Sequence, residues 1–388
     1  MNNTYDAIVL GLGGIGSAAL YWLSRQLGER VLGMEQYEIG HLHGGSHDHS
    51  RIIRLSYHTP NYVALAKEAY AAWAVVEDDN NAPLILKTGG LDFAPPNSAI
   101  PITDYTSSLT AQGVSFEMLE PNEVMKRWPQ FNLDDETPAL YQEESGIAPA
   151  AKCVASHIHL AQQYGAQVMT DSPVQQIREA DGEVEVVSNG TTYRCHRLVI
   201  ASGAWSNHHL AHFGIHLPLT VTKEQVVYFD SPNSDDFAPE RFPIWIWMDE
   251  PCFYGFPVYG ERGPKVAQDA GGEETTVETR TYEQDEAAFQ RVDRFVQQVL
   301  PSAHAKPIYS KTCLYTMPPD RDFVLDFLPN SKNIVMGIGA GHAFKFSSLL
   351  GKILGELVMD GQSNSPIKPF GIRRPILWEA NPVKNFMV

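Results

Sequence analysis

Three glycines near the N-terminus have the spacing of a nucleotide-binding turn. Gly11, Gly13 and Gly16 form the pattern G-x-G-x-x-G between the apolar run YDAIVL and the segment SAALYWLSRQL, which is typical of a helix. In such a turn the first glycine permits a tight bend, the second lets the backbone approach a pyrophosphate, and the third lets helix and strand pack closely. Glu35 ends the next apolar run, where it can accept a hydrogen bond from a ribose hydroxyl. These residues predict a dinucleotide site but do not distinguish FAD from NAD.

The elements that position this turn form a βαβ unit, because a strand, a glycine turn, a helix and a second strand follow one another. Strands that run into glycines recur near residues 10, 200 and 337. We therefore predict an α/β fold with two domains, in which a Rossmann-like nucleotide-binding domain is interleaved with a substrate domain built on an antiparallel sheet. The predicted boundaries are 1–85, 147–215 and 308–388 for the nucleotide-binding domain, and 86–146 and 216–307 for the substrate domain.

The composition limits the classes of partner. The 388 residues include 29 Lys and Arg against 46 Asp and Glu, a formal net charge of −17, and an acidic surface repels nucleic acid. The apolar runs are too short to cross a bilayer, and we read no secretory signal before Tyr5. The 4 cysteines are far apart and have neither a CxxC pair nor the common zinc spacings. We expect a cytoplasmic protein with no nucleic-acid, membrane or metal partner.

Several longer blocks resemble one family of flavoenzymes. In chain order they are HLHGGSHDHSRIIRLSYH, SGIAPAAKC, RLVIASGAW, YGFPVYG, KTCLYTMPPDRDFVLD and GAGHAFKFSSLLGKIL. Over nearly the full length, the chain resembles the monomeric sarcosine oxidase and N-methyltryptophan oxidase family. The resemblance implies FAD as the cofactor, bound through the thioether of a cysteine that corresponds to Cys313. The nucleotide-binding domain is then expected to be an FAD-binding domain.

The resemblance also assigns contacts to the flavin. Including the glycine turn, the predicted cofactor-binding residues are Gly11, Gly13, Gly16, Glu35, Ser46, Arg51, Val174, Gly203, Trp205, Cys313, Gly339, Gly341, His342 and Lys345. A thioether to the ring system withdraws electrons, so it is expected to raise the potential of the flavin and to prevent its loss. The other cysteines have no such context, and we expect them to be structural.

The RIIR block supplies two arginines with different expected roles. If the block is extended, Arg51 and Arg54 point to opposite faces. By resemblance, Arg51 lies against the flavin, and Arg54 holds the substrate carboxylate, for which a guanidinium is well shaped. Lys345 corresponds to a second carboxylate-binding cation near the flavin, where a positive charge also stabilises the reduced, anionic flavin. Tyr254 and Tyr315 correspond to aromatic residues that line the substrate cavity.

The residues assigned to catalysis are Lys265, Arg51 and His342. Lys265 lies eleven residues after Tyr254 of the YGFP block and corresponds to the oxygen-activating lysine of the family. A cation in that place stabilises the superoxide that forms when an electron passes to O2. His342 lies in the same loop as Lys345 and is expected to touch the flavin.

One position departs from the family pattern. The sarcosine and methyltryptophan oxidases place a histidine four residues after the oxygen-activating lysine, where this sequence has Asp269. A carboxylate there changes the local charge and can recognise a second amino group or a hydroxyl-rich substituent, so sarcosine itself is not predicted as the substrate. Trp245 and Trp247 are candidates for an aromatic cavity wall, although core packing is the commoner use of such residues.

The predicted reaction is the FAD-dependent oxidation of a secondary amine, an N-methyl or N-alkyl amino acid, by O2. The imine product hydrolyses to an aldehyde and an amine, and O2 becomes hydrogen peroxide. Within the same class, a fructosyl amino acid (deglycating) oxidase and an oxidase of cyclic amino acids are alternatives. Outside it, the alternative is a non-catalytic flavin-binding subunit. The family pattern favours a monomer that acts on a small-molecule amine.

Overall fold

The chain contains both β-strands and α-helices, and the computed structural model describes residues 3–96 and 98–385. The strands in these ranges are β1 (Thr4–Leu10), β2 (Val31–Met34), β3 (Arg51–Ile53), β4 (Leu86–Lys87), β5 (Gly90–Phe93), β6 (Glu117–Leu119), β7 (Ala139–Gln142), β8 (Gly146–Ala148), β9 (Gln167–Met169), β10 (Val174–Ala180), β11 (Glu183–Ser188), β12 (Thr191–Ile200), β13 (Thr220–Phe229), β14 (Ile244–Trp247), β15 (Phe253–Phe256), β16 (Lys265–Gln268), β17 (Glu273–Glu274), β18 (Pro307–Met317), β19 (Val324–Phe327) and β20 (Ile334–Ile338). The helices are α1 (Gly14–Leu27), α2 (Pro60–Asn80), α3 (Ile102–Ala111), α4 (Pro121–Arg127), α5 (Ala150–Gln163), α6 (Ser206–Leu210), α7 (Glu286–Val299) and α8 (Ser347–Asp360). None of these helices is both long enough and apolar enough to cross a lipid bilayer.

The first sheet carries the predicted nucleotide-binding turn. β1 lies at its centre between β12 and β2, and both neighbours run parallel to it. β20 extends the parallel run beyond β12, and β9 extends it beyond β2. Residues 7–10 of β1 are at most 1% exposed, because both faces of the sheet are covered by other elements. The predicted α/β class with a parallel, Rossmann-like sheet is confirmed.

The carboxyl ends of the parallel strands meet at one edge of this sheet. Leu10 pairs with Met34 of β2 and with Ile200 of β12, and Ile200 pairs in turn with Met336 of β20. Because the strands end in register, the glycine-containing loops after β1, β12 and β20 lie at the same edge. Three glycine clusters that are far apart in sequence therefore contribute to one region of the molecule.

The second sheet is mostly antiparallel and has nine strands in the described ranges. Its order is β17-β13-β16-β15-β14-β5-β7-β6, with β18 also paired to β13. β14 and β5 run parallel to each other, whereas the remaining neighbours are antiparallel. The long pair of β13 and β18 places Cys313 directly opposite Glu224.

One predicted boundary differs from this sheet structure. The sequence placed 308–388 in the FAD-binding domain, but β18 pairs with β13 along almost its whole length and so belongs to the second sheet. A strand that contacts a cofactor can belong to either sheet, and its local sequence does not state which strand it pairs with. The pairing assigns β18 to the second sheet, and the predicted domain boundaries stay a prediction.

The two tryptophans of WIWM pack into the core beside the second sheet. Trp245 is fully buried, and its ring stacks on Phe295 with centroids 5.7 Å apart. Trp247 packs edge-on against the same phenylalanine, with centroids 5.5 Å apart. Ile246 lies between them on the opposite face of β14 and lines the cavity described below. The tryptophans therefore pack in the core, which was the commoner of the two uses considered, and do not line the cavity.

Candidate active site

The glycine turn after β1 is built by close contacts that a side chain would block. Gly11 has a positive φ of 81°, and a Cβ on it would lie 2.8 Å from the carbonyl oxygen of Ala201. A Cβ on Gly16 would lie 1.7 Å from the carbonyl oxygen of Gly11, so α1 can approach β1 only with glycine at this position. The N–H of Gly14 at the start of α1 donates to Ser46 Oγ at 2.8 Å. The positive end of α1 thus faces the loop that contains Ser46.

Glu35 lies at the end of β2, where the sequence predicted an acidic residue for a ribose. Its carboxylate accepts hydrogen bonds from the N–H of Leu12 at 2.8 Å and of Tyr37 at 3.3 Å. Burial raises the pKa of Glu35, but these bonds and the adjacent His41 outweigh it and hold the pKa below its ordinary value. Glu35 is therefore ionised near neutral pH and can accept further hydrogen bonds.

The predicted site residues come together around one cavity of about 790 Å³. This volume is within the range of sites that enclose an organic cofactor or ligand. Gly16 and Lys265 are the predicted residues that do not line it; Gly16 lies in the interface of β1 and α1, and Lys265 lies behind the wall. The cavity runs past the glycine turn, Glu35, Cys313 and Lys345, so both predicted sites belong to one continuous space.

Cys313 lines the cavity from β18 and is 8% exposed. The neighbouring Leu314 donates its N–H to the carbonyl oxygen of Gly44 at 3.3 Å. A Cβ on Gly45 would lie 2.6 Å from the carbonyl oxygen of Leu314, so the glycines of the GGS segment allow this loop to lie against β18. Burial raises the pKa of the Cys313 thiol, and the nearby Arg51 lowers it only in part.

Arg51 holds the loop that precedes it. Its guanidinium donates to the carbonyl oxygens of Ser50 at 2.9 Å, Gly45 at 2.9 Å and His47 at 2.8 Å. Because β3 ends at Ile53, the alternation of a strand does not extend to Arg54. The extended conformation on which the opposite-face expectation depended thus ends before Arg54, and both arginines line the same cavity.

Arg54 forms a buried ion pair. Its NH1 donates to Asp92 Oδ1 at 2.6 Å, and the other oxygen of Asp92 accepts a hydrogen bond from Ser56. The guanidinium also lies over the ring of Tyr57, 4.8 Å from its centroid. Asp92 therefore fixes the direction of the Arg54 fork, whereas Nε of Arg54 is buried without a partner among the described residues.

Lys345 is a second buried cation at the cavity. Its Nζ donates to a neutral acceptor, the carbonyl oxygen of His342, at 3.1 Å. Burial and the charge of Arg54 lower the pKa of Lys345 to about 7, although Asp269 raises it in part. An anion that bound between these two cations would relieve their repulsion and raise this pKa again.

His342 is held as a neutral ring. Its Nε2 lies 3.0 Å from the carbonyl oxygen of Arg321, which can only accept, so Nε2 carries the proton. The ring stacks on Phe323 with centroids 4.8 Å apart. Burial and the charge of Lys345 lower the pKa of His342 well below its ordinary value. Its Nδ1 is consequently an unprotonated acceptor.

Lys265 is buried directly behind the cavity wall. Its Nζ donates to Ser50 O at 2.8 Å and to Asp48 Oδ2 at 3.2 Å, and both partners line the cavity. Burial lowers the pKa of Lys265 to about 8, against the opposing effect of the Asp48 carboxylate. Asp48 also accepts hydrogen bonds from Tyr228, and its φ is 85°. The oxygen-activating role of Lys265 stays a prediction.

Asp269 lines the cavity and forms an ion pair with Arg321. The distance from Arg321 NH1 to Asp269 Oδ2 is 2.9 Å, and the Arg321 side chain is 1% exposed against 24% for Asp269. The turn after Asp269 is fixed by Glu224, which accepts hydrogen bonds from the N–H groups of Gly271 and Gly272 at 3.2 and 3.1 Å. Because Arg321 is buried, the Asp269 carboxylate is the more accessible partner of the ion pair.

Comparison with known proteins assigns the family. The family model described as FAD dependent oxidoreductase matches residues 6–357. The chain belongs to this FAD dependent oxidoreductase family. It is 33% identical to the monomeric sarcosine oxidase of Streptomyces avermitilis over 384 residues, covering 96% of this chain and 98% of that protein. It is also 26% identical to an N-methyl-L-tryptophan oxidase of Escherichia coli over 377 residues, covering 95% and 99%.

Among solved structures, a similar chain is the open form of NikD, an amino acid oxidase of nikkomycin biosynthesis. Its TM-score is 0.83 at 25% identity, and the match covers 95% of this chain and 97% of NikD. The predicted resemblance to the sarcosine and methyltryptophan oxidases is thereby confirmed. FAD is the cofactor of the family, and the predicted enzyme class, a flavin-dependent oxidoreductase, is confirmed with it.

The residues around the cavity fit the FAD that the family implies. Several buried polar atoms of cavity-lining residues have no hydrogen-bond partner in the described ranges; they belong to His47, Ser50, Arg54, Tyr57, His342 and Ser347. Folded proteins satisfy nearly all buried polar groups. A polar ligand along this cavity would supply the missing partners, at the same place as the glycine turn and Glu35.

Sequence reasoning missed three residues of this site. His47 lies in the cavity wall, and burial together with Arg51 lowers its pKa to about 3, so the ring is neutral. Asp48 binds Lys265, and Arg321 binds Asp269. His47 and Asp48 directly follow Ser46 in the GGSHDHS segment, and this position next to a predicted flavin contact could have indicated that they belong to the site. Arg321 follows KTCLYT within the same block, but the residues around it do not indicate that it pairs with Asp269.

Proposed function

We propose that this protein oxidises N-alkyl amino acids, with an N-methyl amino acid as the favoured class. The observation that carries the proposal is that Arg54 and Lys345 line the same cavity as the glycine turn and Cys313. A substrate carboxylate held by these cations would lie beside the flavin. The amine nitrogen of an amino acid is separated from its carboxylate by a single carbon, so it would lie there too. The relatives named as sarcosine and N-methyl-L-tryptophan oxidases support the same class of substrate.

The two cations suit a carboxylate for different reasons. Arg54 presents a planar fork whose direction is set by Asp92, and its Nε has no partner within residues 3–96 and 98–385. Lys345 donates only to a carbonyl oxygen among the described hydrogen bonds, so its charge has no bound carboxylate. A carboxylate between them would make charge-assisted hydrogen bonds with both.

The protein positions the substrate, and the cofactor supplies the redox chemistry. When bound, FAD would supply the acceptor for a hydride from the carbon beside the amine nitrogen, and O2 would take up the two electrons with two protons to give hydrogen peroxide. Tyr254 and Tyr315 line the cavity wall. Gly341 allows its loop to pack on the ring of Tyr315, since a Cβ there would lie 2.7 Å from Cδ2. The iminium product then hydrolyses to an aldehyde and an amine.

We further propose that Cys313 is the site of the covalent flavin link. The thiol lies in the cavity wall beside Arg51, and the GGS loop packs closely on its strand. Formation of a thioether from a thiol and a C–H group releases two protons and two electrons. O2, which the proposed oxidase reaction already uses, is the oxidant for this step.

The Lys265 ammonium is proposed to act in the reaction with O2. The ammonium donates to Asp48 and Ser50, and both of these residues line the cavity. A single layer of residues therefore separates its charge from the proposed cofactor site. A buried cation favours electron transfer to O2 because it stabilises the superoxide anion. Since the separated free cysteines suit a reducing compartment and the relatives include monomeric sarcosine oxidases, we propose a cytoplasmic monomer.

A peroxide-coupled screen tests this function directly. The purified holoenzyme is offered N-methyl, N-alkyl, cyclic and fructosyl amino acids, and hydrogen peroxide and flavin bleaching without O2 are measured. We expect N-methyl amino acids to give peroxide, and Arg54→Met to raise their KM. Selective activity on cyclic or fructosyl amino acids would show that one of these, and not N-alkyl amino acids, is the substrate class. Absence of peroxide with every amine would reject an oxidase in favour of a flavin-binding subunit.

A further inference from the structure

Residues 275–284, here called the cover segment, lie between β17 and α7, and Glu278 of this segment lines the cavity. Arg280 lies in its middle and donates from NH1 to the carbonyl oxygens of Leu42 at 3.1 Å and His43 at 2.7 Å. Its NH2 donates to the carbonyl oxygen and to Oγ1 of Thr312, both at 3.2 Å. One guanidinium therefore joins the loop after β2 to the residue directly before Cys313.

The acceptors of Arg280 indicate a positioning role. All four are neutral oxygens, three of them in the backbone, so the contact fixes the path of two chain segments and does not balance a charge. A guanidinium is suited to this because its donors lie in one rigid plane. The same two segments meet again at Leu314, whose N–H donates to Gly44 O at 3.3 Å. Arg280 and this bond thus lie on either side of Cys313 along β18.

Outside Arg280, the cover segment is bound to β13 by two hydrogen bonds, from the N–H of Thr275 to Val221 O at 2.9 Å and from Lys223 Nζ to Thr281 Oγ1 at 3.1 Å. Glu278 pairs with His208 of α6 at 2.8 Å, and Tyr282 bonds to His43, but all these side chains except His43 are more than half exposed. Exposed pairs of this kind contribute little to stability. Most of the segment is exposed, so it has few buried apolar contacts and belongs to the part of the fold that opens at low cost. Glu278 and His208 also line the cavity, so opening here uncovers the cofactor space.

We propose that Arg280 is a positioning residue that fastens the cover segment over the flavin cavity and holds β18 at Cys313 in place. The inference rests on the proposed FAD site and goes beyond it, because Arg280 does not line the cavity and belongs to neither the glycine turn nor the substrate wall. Where no thioether holds the flavin, it enters and leaves when the cover segment lifts, and the four hydrogen bonds of Arg280 oppose this motion.

The test measures flavin retention in the full chain, with Arg280→Met and Arg280→Lys as variants. Arg262→Met is the matched control, since Arg262 pairs with Asp230 on the surface and its side chain is 70% exposed. Bound flavin per chain, the flavin that stays in an acid-precipitated pellet, and the unfolding temperature of the protein are recorded. We expect Arg280→Met to keep less than about half of the pellet-bound flavin, Arg280→Lys to be intermediate, and the control to match the unchanged protein.

The release rate separates this proposal from the tether proposal. In a Cys313→Ser background, where flavin is held without a thioether, flavin fluorescence reports its dissociation. Arg280→Met is expected to accelerate release about tenfold, with an unfolding temperature like that of Arg262→Met. If unchanged protein has no pellet-bound flavin, the tether proposal fails, and the release rate still tests Arg280. Equal release rates with and without Arg280→Met in the Cys313→Ser background, or a faster release that follows a lowered unfolding temperature alone, would overturn the role of Arg280.

Discussion

Arg321 NH1 donates to Asp269 Oδ2 at 2.9 Å, and both side chains lie in the wall of the cavity that contains Lys345. The two residues come from different turns, since Asp269 follows β16 and Arg321 follows β18. Arg321 has a positive φ of 55°, and its carbonyl oxygen accepts the hydrogen bond from His342. The pair therefore connects the substrate wall to the loop that carries Lys345.

Replacement of Arg321 tests the electrostatic role of this pair. Arg321→Met leaves the Asp269 carboxylate uncompensated near Lys345, where it repels a substrate carboxylate. We expect KM to rise about tenfold, equivalent to about 1.4 kcal/mol, with a smaller change in kcat. Steady-state kinetics with the best substrate of the screen measure both constants.

The double variant supplies the control. Asp269→Asn removes the negative charge, so Asp269→Asn combined with Arg321→Met is expected to bind substrate better than Arg321→Met alone. If the effects of the two substitutions on KM simply multiply, the residues do not act as a pair.

The pKa of Lys345 predicts a pH dependence of anion binding. Burial and Arg54 lower this pKa to about 7, so the ammonium is charged below pH 7 and loses its proton as the pH rises through that value. The dissociation constant of propionate, measured by flavin absorbance, is expected to increase above pH 7. In Lys345→Arg the increase should disappear because arginine stays charged. An unchanged pH curve in Lys345→Met would reject the assignment.

Lys265→Met tests the reaction with O2. Because loss of one preorganised charged donor typically slows a step by about 100-fold or more, we expect reoxidation of the flavin to slow by that order. Reduction by substrate should change little, and stopped-flow absorbance separates the two half-reactions. Burial lowers the pKa of Lys265 to about 8, so reoxidation of the unchanged protein should fall above pH 8, and the variant should show no such fall. Equal slowing of both half-reactions would contradict the proposed role.

Cys313→Ser tests the covalent link. Acid precipitation of the unchanged protein is expected to leave yellow colour in the pellet, whereas Cys313→Ser should release the flavin to the supernatant. Cys252→Ser is a matched control, since Cys252 also lines the cavity and its pKa is likewise raised by burial. The tether is assigned incorrectly if Cys252→Ser releases the flavin and Cys313→Ser retains it.

The sequence by itself determined the glycine turn, its acidic partner and the family. These features depend on local conformation: Gly11 needs a positive φ, Gly16 must lie against Gly11, and Glu35 ends the strand that pairs with β1. Each requirement restricts residue type at a fixed spacing, so the spacing alone predicts the turn. The apolar run YDAIVL likewise predicted the strand β1.

Only the tertiary structure decided which side chains meet inside the cavity. Strand β18 pairs with β13, about a quarter of the chain away, and this pairing moved Cys313 to the second sheet and brought Arg280 to Thr312. The ion pair of Arg321 and Asp269 arises in the same way, from two turns that approach each other only after the sheet has formed. Side-chain charges have no local conformational signature, so their partners depend on long-range strand pairing that residue spacing does not encode.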